Sequence, residues 1–176
     1  MTPSRPNPPR KGSKKPNVVY FLVDNLGMGE LSSYNGCSLR GVTTARIDAF
    51  AEQGMMLFNF APETQCTPSR SALMTGRYSI RSGNQSVPMA GSEGGLVKWE
   101  RILGDIFSDA GYATSIVGKW HIGDSEGRWP TDHGFDEWYG IPRSYDECLW
   151  PQDPWYDPKR DMVVHVLEGR KGAAGK

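Results

Sequence analysis

Cysteine is scarce in this chain of 176 residues. Cys37, Cys66 and Cys148 are odd in number and widely spaced, with no paired framework and no CxxC metal pattern. A reduced compartment is the simplest expectation. Long apolar runs are missing too: none approaches the roughly 20 residues that a membrane-spanning helix needs. The N-terminal MTPSRPNPPRKGSKKP lacks the apolar core of a secretory signal. A cytoplasmic location and no membrane partner are therefore expected. An excess of either charge is also lacking. Twenty basic side chains balance twenty acidic ones, so no global field draws the chain to nucleic acid or to an acidic membrane surface. Residues 1–16 are basic, proline-rich and polar. They read as a solvated, disordered tail, since such segments cannot bury enough surface to order themselves; a nucleic-acid arm is the alternative. The body of the protein is expected over residues 17–176.

What is present begins with Asn17–Val23, NVVYFLV. This continuous apolar, β-branched run predicts a strand buried on both faces, ending at Asp24-Asn25. Thr44 is placed to cap a helix over TARIDAFAEQ, with Ile47, Phe50 and Ala51 on one face and Gly54 as its stop. MMLFNF (Met55–Phe60) reads as a second strand. Pro68 suits the first position of a helix running through Ser69–Thr75 to Gly76. A Gly- and Ser-rich loop follows over residues 80–95. WERILGDIFSDA (Trp99–Ala110) is amphipathic, with Ile102, Leu103, Ile106 and Phe107 as its apolar stripe. YATSIVG (Tyr112–Gly118) is a third strand, leading into Lys119-Trp120-His121. Alternating strands and helices with short connections predict an α/β fold, a parallel sheet with helices on its faces. In such sheets ligands gather beyond the carboxyl ends of the strands, where Asp24-Asn25 and Lys119–His121 both fall. From Asp124 onward the sequence is rich in Trp, Pro and Asp with weak periodicity, and reads as connecting surface.

Four groups of residues can carry chemistry. Asp24 and Asn25 offer only oxygen donors and suit a hard cation, Ca²⁺ or Mg²⁺; the plainer reading is a strand end capping a turn. Gly27 and Gly29 do not continue into the spacing of a dinucleotide loop. Cys66 precedes the proline-started helix, where free N–H groups favour negative charge, and Arg70 projects near the same end. The pair can hold an anion between backbone amides and a guanidinium; the plainer reading of Cys66 is a small buried hydrophobe. Lys119 and His121 stand at i and i+2, on one side of an extended segment, as an anion clamp and a proton carrier. Taken alone they also read as a surface lysine beside a packed histidine. His133 offers less, and His165, in a short apolar run, reads as structural.

CTPSRSALMTGR (Cys66–Arg77) resembles the Cys-x-Pro-Ser-Arg…Thr-Gly-Arg signature of the type I, formylglycine-dependent sulfatases. GKWHIG (Gly118–Gly123) resembles that family's second signature. PNVVYFLVDNLGMGEL resembles its opening strand and metal turn, and HGFDEWYG (His133–Gly140) the segment that follows. The resemblance runs from about Pro16 to about Pro142. It implies an alkaline-phosphatase-like α/β fold and hydrolysis of sulfuric esters, with a small-molecule or glycan sulfate ester as substrate. It implies that a formylglycine-generating enzyme oxidises Cys66 to an aldehyde by reading Cys-Thr-Pro-Ser-Arg in the unfolded chain. On the same resemblance, one hydroxyl of the hydrated aldehyde attacks sulfur and displaces the alcohol; loss of a proton from the other then reforms the aldehyde and releases sulfate. On this resemblance Cys66 is nucleophile and metal ligand, Asp24 and Asn25 are metal ligands for Ca²⁺ or Mg²⁺, Arg70 and Lys119 hold the diol and the sulfate, and His121 is the base.

Two features depart from the family pattern. Asn25 stands where an aspartate is usual, so the metal turn carries one charge less. No asparagine follows Asn84, so the family's distal Asp-Asn metal pair is absent from these 176 residues. The chain reads as the N-terminal part of such an enzyme, inactive or nearly so on its own. A phosphate or phosphonate ester hydrolase of the same superfamily and a non-catalytic remnant with Cys66 left as a thiol are the alternatives.

Overall fold

The computed structural model describes residues 15–36, 41–88, 94–147, 150–159 and 165–172. Cys37, Cys148 and nearly all of the N-terminal tail lie outside them. The chain forms two compact units, Met1–Phe58 and Asn59–Lys176.

In the first unit, two short 3-10 turns, Met28–Glu30 and Ser32–Tyr34, precede helix α1 (Ala45–Ala51). Asp48 joins them. Its carboxylate accepts from the hydroxyl of Ser32, from the Ser33 amide at 2.9 Å and from the Thr44 hydroxyl at 2.9 Å. Those donors, Ser32 first, hold the Asp48 carboxyl below the usual carboxylate range. The predicted strands over 17–23 and 55–60 do not form. Residues 17–23 lie outside any sheet, and Phe21 is 86% exposed. A doubly buried strand needs backbone partners on its edges and apolar cover on its faces, and these segments have neither among the described residues. The apolar stripe of α1 is likewise uncovered: Ile47 and Phe50 are exposed.

The second unit holds helices α2 (Cys66–Thr75), α3 (Ser79–Ser82) and α4 (Leu103–Asp109) and strands β1 (Ser115–Val117), β2 (Glu137–Gly140) and β3 (Leu167–Arg170). The sheet is mixed, not wholly parallel: β1 pairs with β2 in parallel and β2 with β3 antiparallel. The region from Asp124, expected as connecting surface, supplies β2 and β3. EWYG buries Trp138 and Gly140 and exposes the residues between, the alternation of a strand with one covered face. Helix α4 is shorter than predicted. Ile102 becomes its N-cap and is fully buried, and Asp105 reaches back to accept the Ile102 amide at 3.0 Å. Residues 79–82 form α3 where a loop was expected.

The core packs Leu96, Ile102, Trp120, Ile122, Phe135 and Trp138. Trp120 meets Phe135 edge to face at 6.2 Å and donates its indole N–H to the Arg128 carbonyl at 3.0 Å. His133, 1% exposed, sits against this core with Nδ1 3.1 Å from the Glu100 carbonyl. His165, expected to be structural, is exposed.

Parallel pairing continues past β1. The Gly118 amide donates to Tyr139, Trp120 to Ile141 and His121 to Pro142, each at 2.9 Å. The strands close to backbone contact here: a Cβ on Gly140 would lie 1.8 Å from the Gly118 carbonyl oxygen. This register carries Lys119 alongside the residues that follow β2.

Candidate active site

Helix α2 begins at Cys66, not after it. Gln65 is the N-cap and Pro68 the third helical residue. The first intrahelical bond is made by Ser69 to the Gln65 carbonyl, so the missing N–H of Pro68 costs nothing. Gln65 has φ 70° and ψ 172°, a region that glycine alone enters without strain. That kink turns the chain so that Cys66 opens the helix at its positive end. Thr67, Pro68 and Ser71 are buried while Cys66 is half-buried. The helix is thus anchored by its second, third and sixth residues and presents its first.

Two side chains near the start of α2 fasten it to the segment after β1. The Thr67 hydroxyl donates to the His121 carbonyl at 2.8 Å, and Arg70 Nη1 donates to the Lys119 carbonyl at 2.6 Å. Between these anchors Lys119 Nζ lies 3.0 Å from Cys66 Sγ. The same ammonium lies 3.0 Å from Ser144 Oγ, and Ser144 in turn donates to the carboxylate of Asp146. Cys66, Arg70, Lys119 and His121, drawn from motifs some fifty residues apart, therefore meet at one place through their backbone or side-chain atoms.

Each residue differs from its sequence reading in detail. Arg70 commits one of its five donors to a backbone carbonyl, so it positions Lys119 as well as carrying charge. His121 is 4% exposed and has φ 58°, a left-handed conformation. The extended path ends there, so the same-side alternation assumed for Lys119 and His121 does not apply. Asp24 and Asn25 lie in an exposed turn of the first unit, not at a strand end. Asn25 has φ 60°, which asparagine tolerates better than most residues. The residue missed by sequence reasoning is Ser144, 5% exposed. No motif marks it. It reaches Lys119 through the pairing of 118–121 with 139–142.

Buried Arg143 braces this corner. It faces Asp124 at 3.3 Å and donates to the Pro88 carbonyl at 3.0 Å, tying the segment after β2 to the segment after His121 and to the loop following α3. The start of β1 is held to residues 134–136 by Thr114. Its amide donates to the Asp136 carboxylate at 2.9 Å, and its hydroxyl donates to the Gly134 carbonyl at 2.7 Å. The Thr114 amide is the main reason the Asp136 carboxyl is held below the usual carboxylate range.

The small mixed sheet flanked by helices is part of the alkaline-phosphatase-like fold of the sulfatases. The Sulfatase family profile matches residues 16–166. The chain is 38% identical over 155 residues to N-acetylgalactosamine-6-sulfatase of Sus scrofa, an alignment covering 80% of this chain and 29% of the relative. It is 40% identical over 134 residues to arylsulfatase G of Homo sapiens, covering 76% and 25%. Among solved structures, the PsFucS1 sulfatase from Pseudoalteromonas sp. superposes with a TM-score of 0.70 at 33% identity, covering 87% of this chain and 33% of that one. The chain belongs to the Sulfatase family. It spans about 29% of the length of the first of these curated relatives.

Proposed function

We propose that the protein hydrolyses sulfuric esters, with Cys66 as the precursor of the nucleophile. One observation carries this reading: Lys119 Nζ stands 3.0 Å from Cys66 Sγ at a helix N-terminus. The ammonium and the helix end together make a place for an anionic group beside the residue at position 66. Converted to formylglycine, that residue would supply an aldehyde whose hydrate attacks sulfur. Lys119 and the Arg70 guanidinium would hold the sulfate charge, Ser144 would orient Lys119, and His121 would act as the base. The names of the relatives, which specify an amino-sugar 6-sulfatase and an arylsulfatase, support a sulfate ester of a sugar or small alcohol as substrate.

Asp24 and Asn25 fit a hard divalent cation in donor type, being oxygen ligands in an exposed turn. They would supply oxygen ligands to Ca²⁺ or Mg²⁺. Such a cation supplies positive charge against the sulfate oxygens. The two side chains bring a single formal negative charge, so affinity should be lower than for a paired-aspartate turn.

The test is chemical. The chain is co-expressed with a formylglycine-generating enzyme, and the peptide containing Cys66 is examined by mass spectrometry. An aldehyde at position 66, with saturable binding of 4-nitrophenyl sulfate weakened by Lys119→Met, is the expected result. Persistence of the thiol, or preference for 4-nitrophenyl phosphate over the sulfate, overturns it.

A further inference from the structure

A lysine side chain is a long flexible stem carrying a compact charge. Left to itself it does not hold that charge at one point. In this chain both ends of Lys119 are fastened. At the backbone end, Arg70 Nη1 donates to its carbonyl at 2.6 Å. At the tip, Nζ lies 3.0 Å from Cys66 Sγ and 3.0 Å from Ser144 Oγ. Ser144 is itself well placed to anchor the tip. It is buried, and its neighbour Arg143 is tied to Asp124 and to the Pro88 carbonyl. The remaining freedom at Ser144 is rotation of its hydroxyl. The carboxylate of Asp146, within the 3-10 turn Tyr145–Glu147, removes it by accepting the hydroxyl proton.

We propose that Asp146 is a positioning residue of this site: through the Ser144 hydroxyl it holds the Lys119 ammonium beside residue 66. The inference rests on the reading of Lys119 as the group that holds the sulfate charge, and adds the device that keeps it in place. The direction of each bond follows from the groups. An ammonium only donates and a carboxylate only accepts, so the chain runs from Lys119 to Ser144 to Asp146. The one hydroxyl proton goes to Asp146, and the oxygen lone pairs are left for the ammonium. Bonds linked in this way polarise and strengthen one another. Asp146 is exposed, whereas Lys119 is half-buried and Ser144 buried. Replacing Asp146 therefore opens no cavity in the core, and its effect on Lys119 passes through the serine.

The experiment is NMR of the lysine ammonium groups in the 176-residue chain, labelled at lysine nitrogen, with Cys66 left as the thiol. Hydrogen exchange of each ammonium with water is measured, and the Lys119 signal is identified by its loss in Lys119→Met. A slowly exchanging Lys119 signal is expected in the wild type. Asp146→Ala and Ser144→Ala should each speed its exchange about 3- to 10-fold, the weight of one hydrogen bond. Asp146→Asn should restore most of the protection, because its amide oxygen still accepts from Ser144. The double variant Ser144→Ala/Asp146→Ala should exchange no faster than Ser144→Ala alone. Exchange at the wild-type rate in Asp146→Ala overturns the proposal. So do independent, multiplying effects in the double variant, or a Lys119 signal in the wild type that exchanges as fast as an exposed lysine. Inorganic sulfate is titrated separately and should shift the Lys119 signal. A signal that sulfate leaves unmoved, with the Asp146 pattern as expected, overturns the sulfate-holding reading and supports the positioning of Lys119.

Discussion

At the scale of single residues, the site depends on two side chains that fasten backbone. Thr67 and Arg70 hold the backbone on either side of Trp120, and so fix where Lys119 points. Thr67→Val keeps the shape and removes the donor, leaving the His121 carbonyl, part of a buried segment, without that bond. A loss of about 1–3 kcal/mol is expected in urea unfolding. Gln65 predicts the opposite sign. Its backbone conformation is one that glycine enters freely, and such strain costs about 1–3 kcal/mol. Gln65→Gly should therefore stabilise the chain by about 1 kcal/mol after the entropy cost of glycine, read from the same unfolding curves. Lys119→Met should weaken binding of a sulfate ester by about 10- to 100-fold, the value of a charge-assisted hydrogen bond of about 1.5–3 kcal/mol. The contiguous motifs made Cys66, Arg70, Lys119 and His121 legible in the sequence. Ser144 was not, because nothing local marks a serine whose importance comes from strand register. The left-handed turn at His121 was equally hidden, since histidine carries no signal for it.

Secondary-structure elements were legible where local chemistry suffices and not where a partner decides. Helix α2 has a proline in its first turn and a glycine, Gly76, with φ 66° as its C-cap, and it forms close to its predicted span. NVVYFLV satisfies every local criterion of a strand and is not one, because pairing is a property of two segments. EWYG and LEGR are short and weakly apolar, yet they pair, because β2 fits between β1 and β3. At β2, Gly140→Ala should be strongly destabilising. A Cβ there would overlap the Gly118 carbonyl, backbone that has no rotamer by which to yield. Overpacking of this kind costs about 1–3 kcal/mol or more, and loss of the near-ultraviolet circular dichroism of buried Trp120 and Trp138 would report it.

Across the described residues of the molecule, hydrogen bonds hold a carboxylate below 3.8 in each compact unit: Asp48, chiefly through Ser32, in the first, and Asp136, chiefly through the Thr114 amide, in the second. A folded-state pKa below the unfolded value adds stability that is complete above the unfolded pKa. That stability is lost as pH falls through 3.8 towards the folded value. Urea midpoints should therefore be flat near neutrality and decline below that point. Asp136→Asn should flatten the decline of the second unit and leave that of the first. A decline unaltered by Asp136→Asn would mean that other groups set the acid limit.

Thr67 is fully inaccessible and Pro68 nearly so, although both stand inside the pentapeptide that the proposed conversion of Cys66 would need to expose. Maturation and folding therefore compete for one segment of chain. If Cys66 is converted as proposed, molecules that fold first should keep sulfur at position 66, and later supply of the catalyst should not convert them unless they are first unfolded.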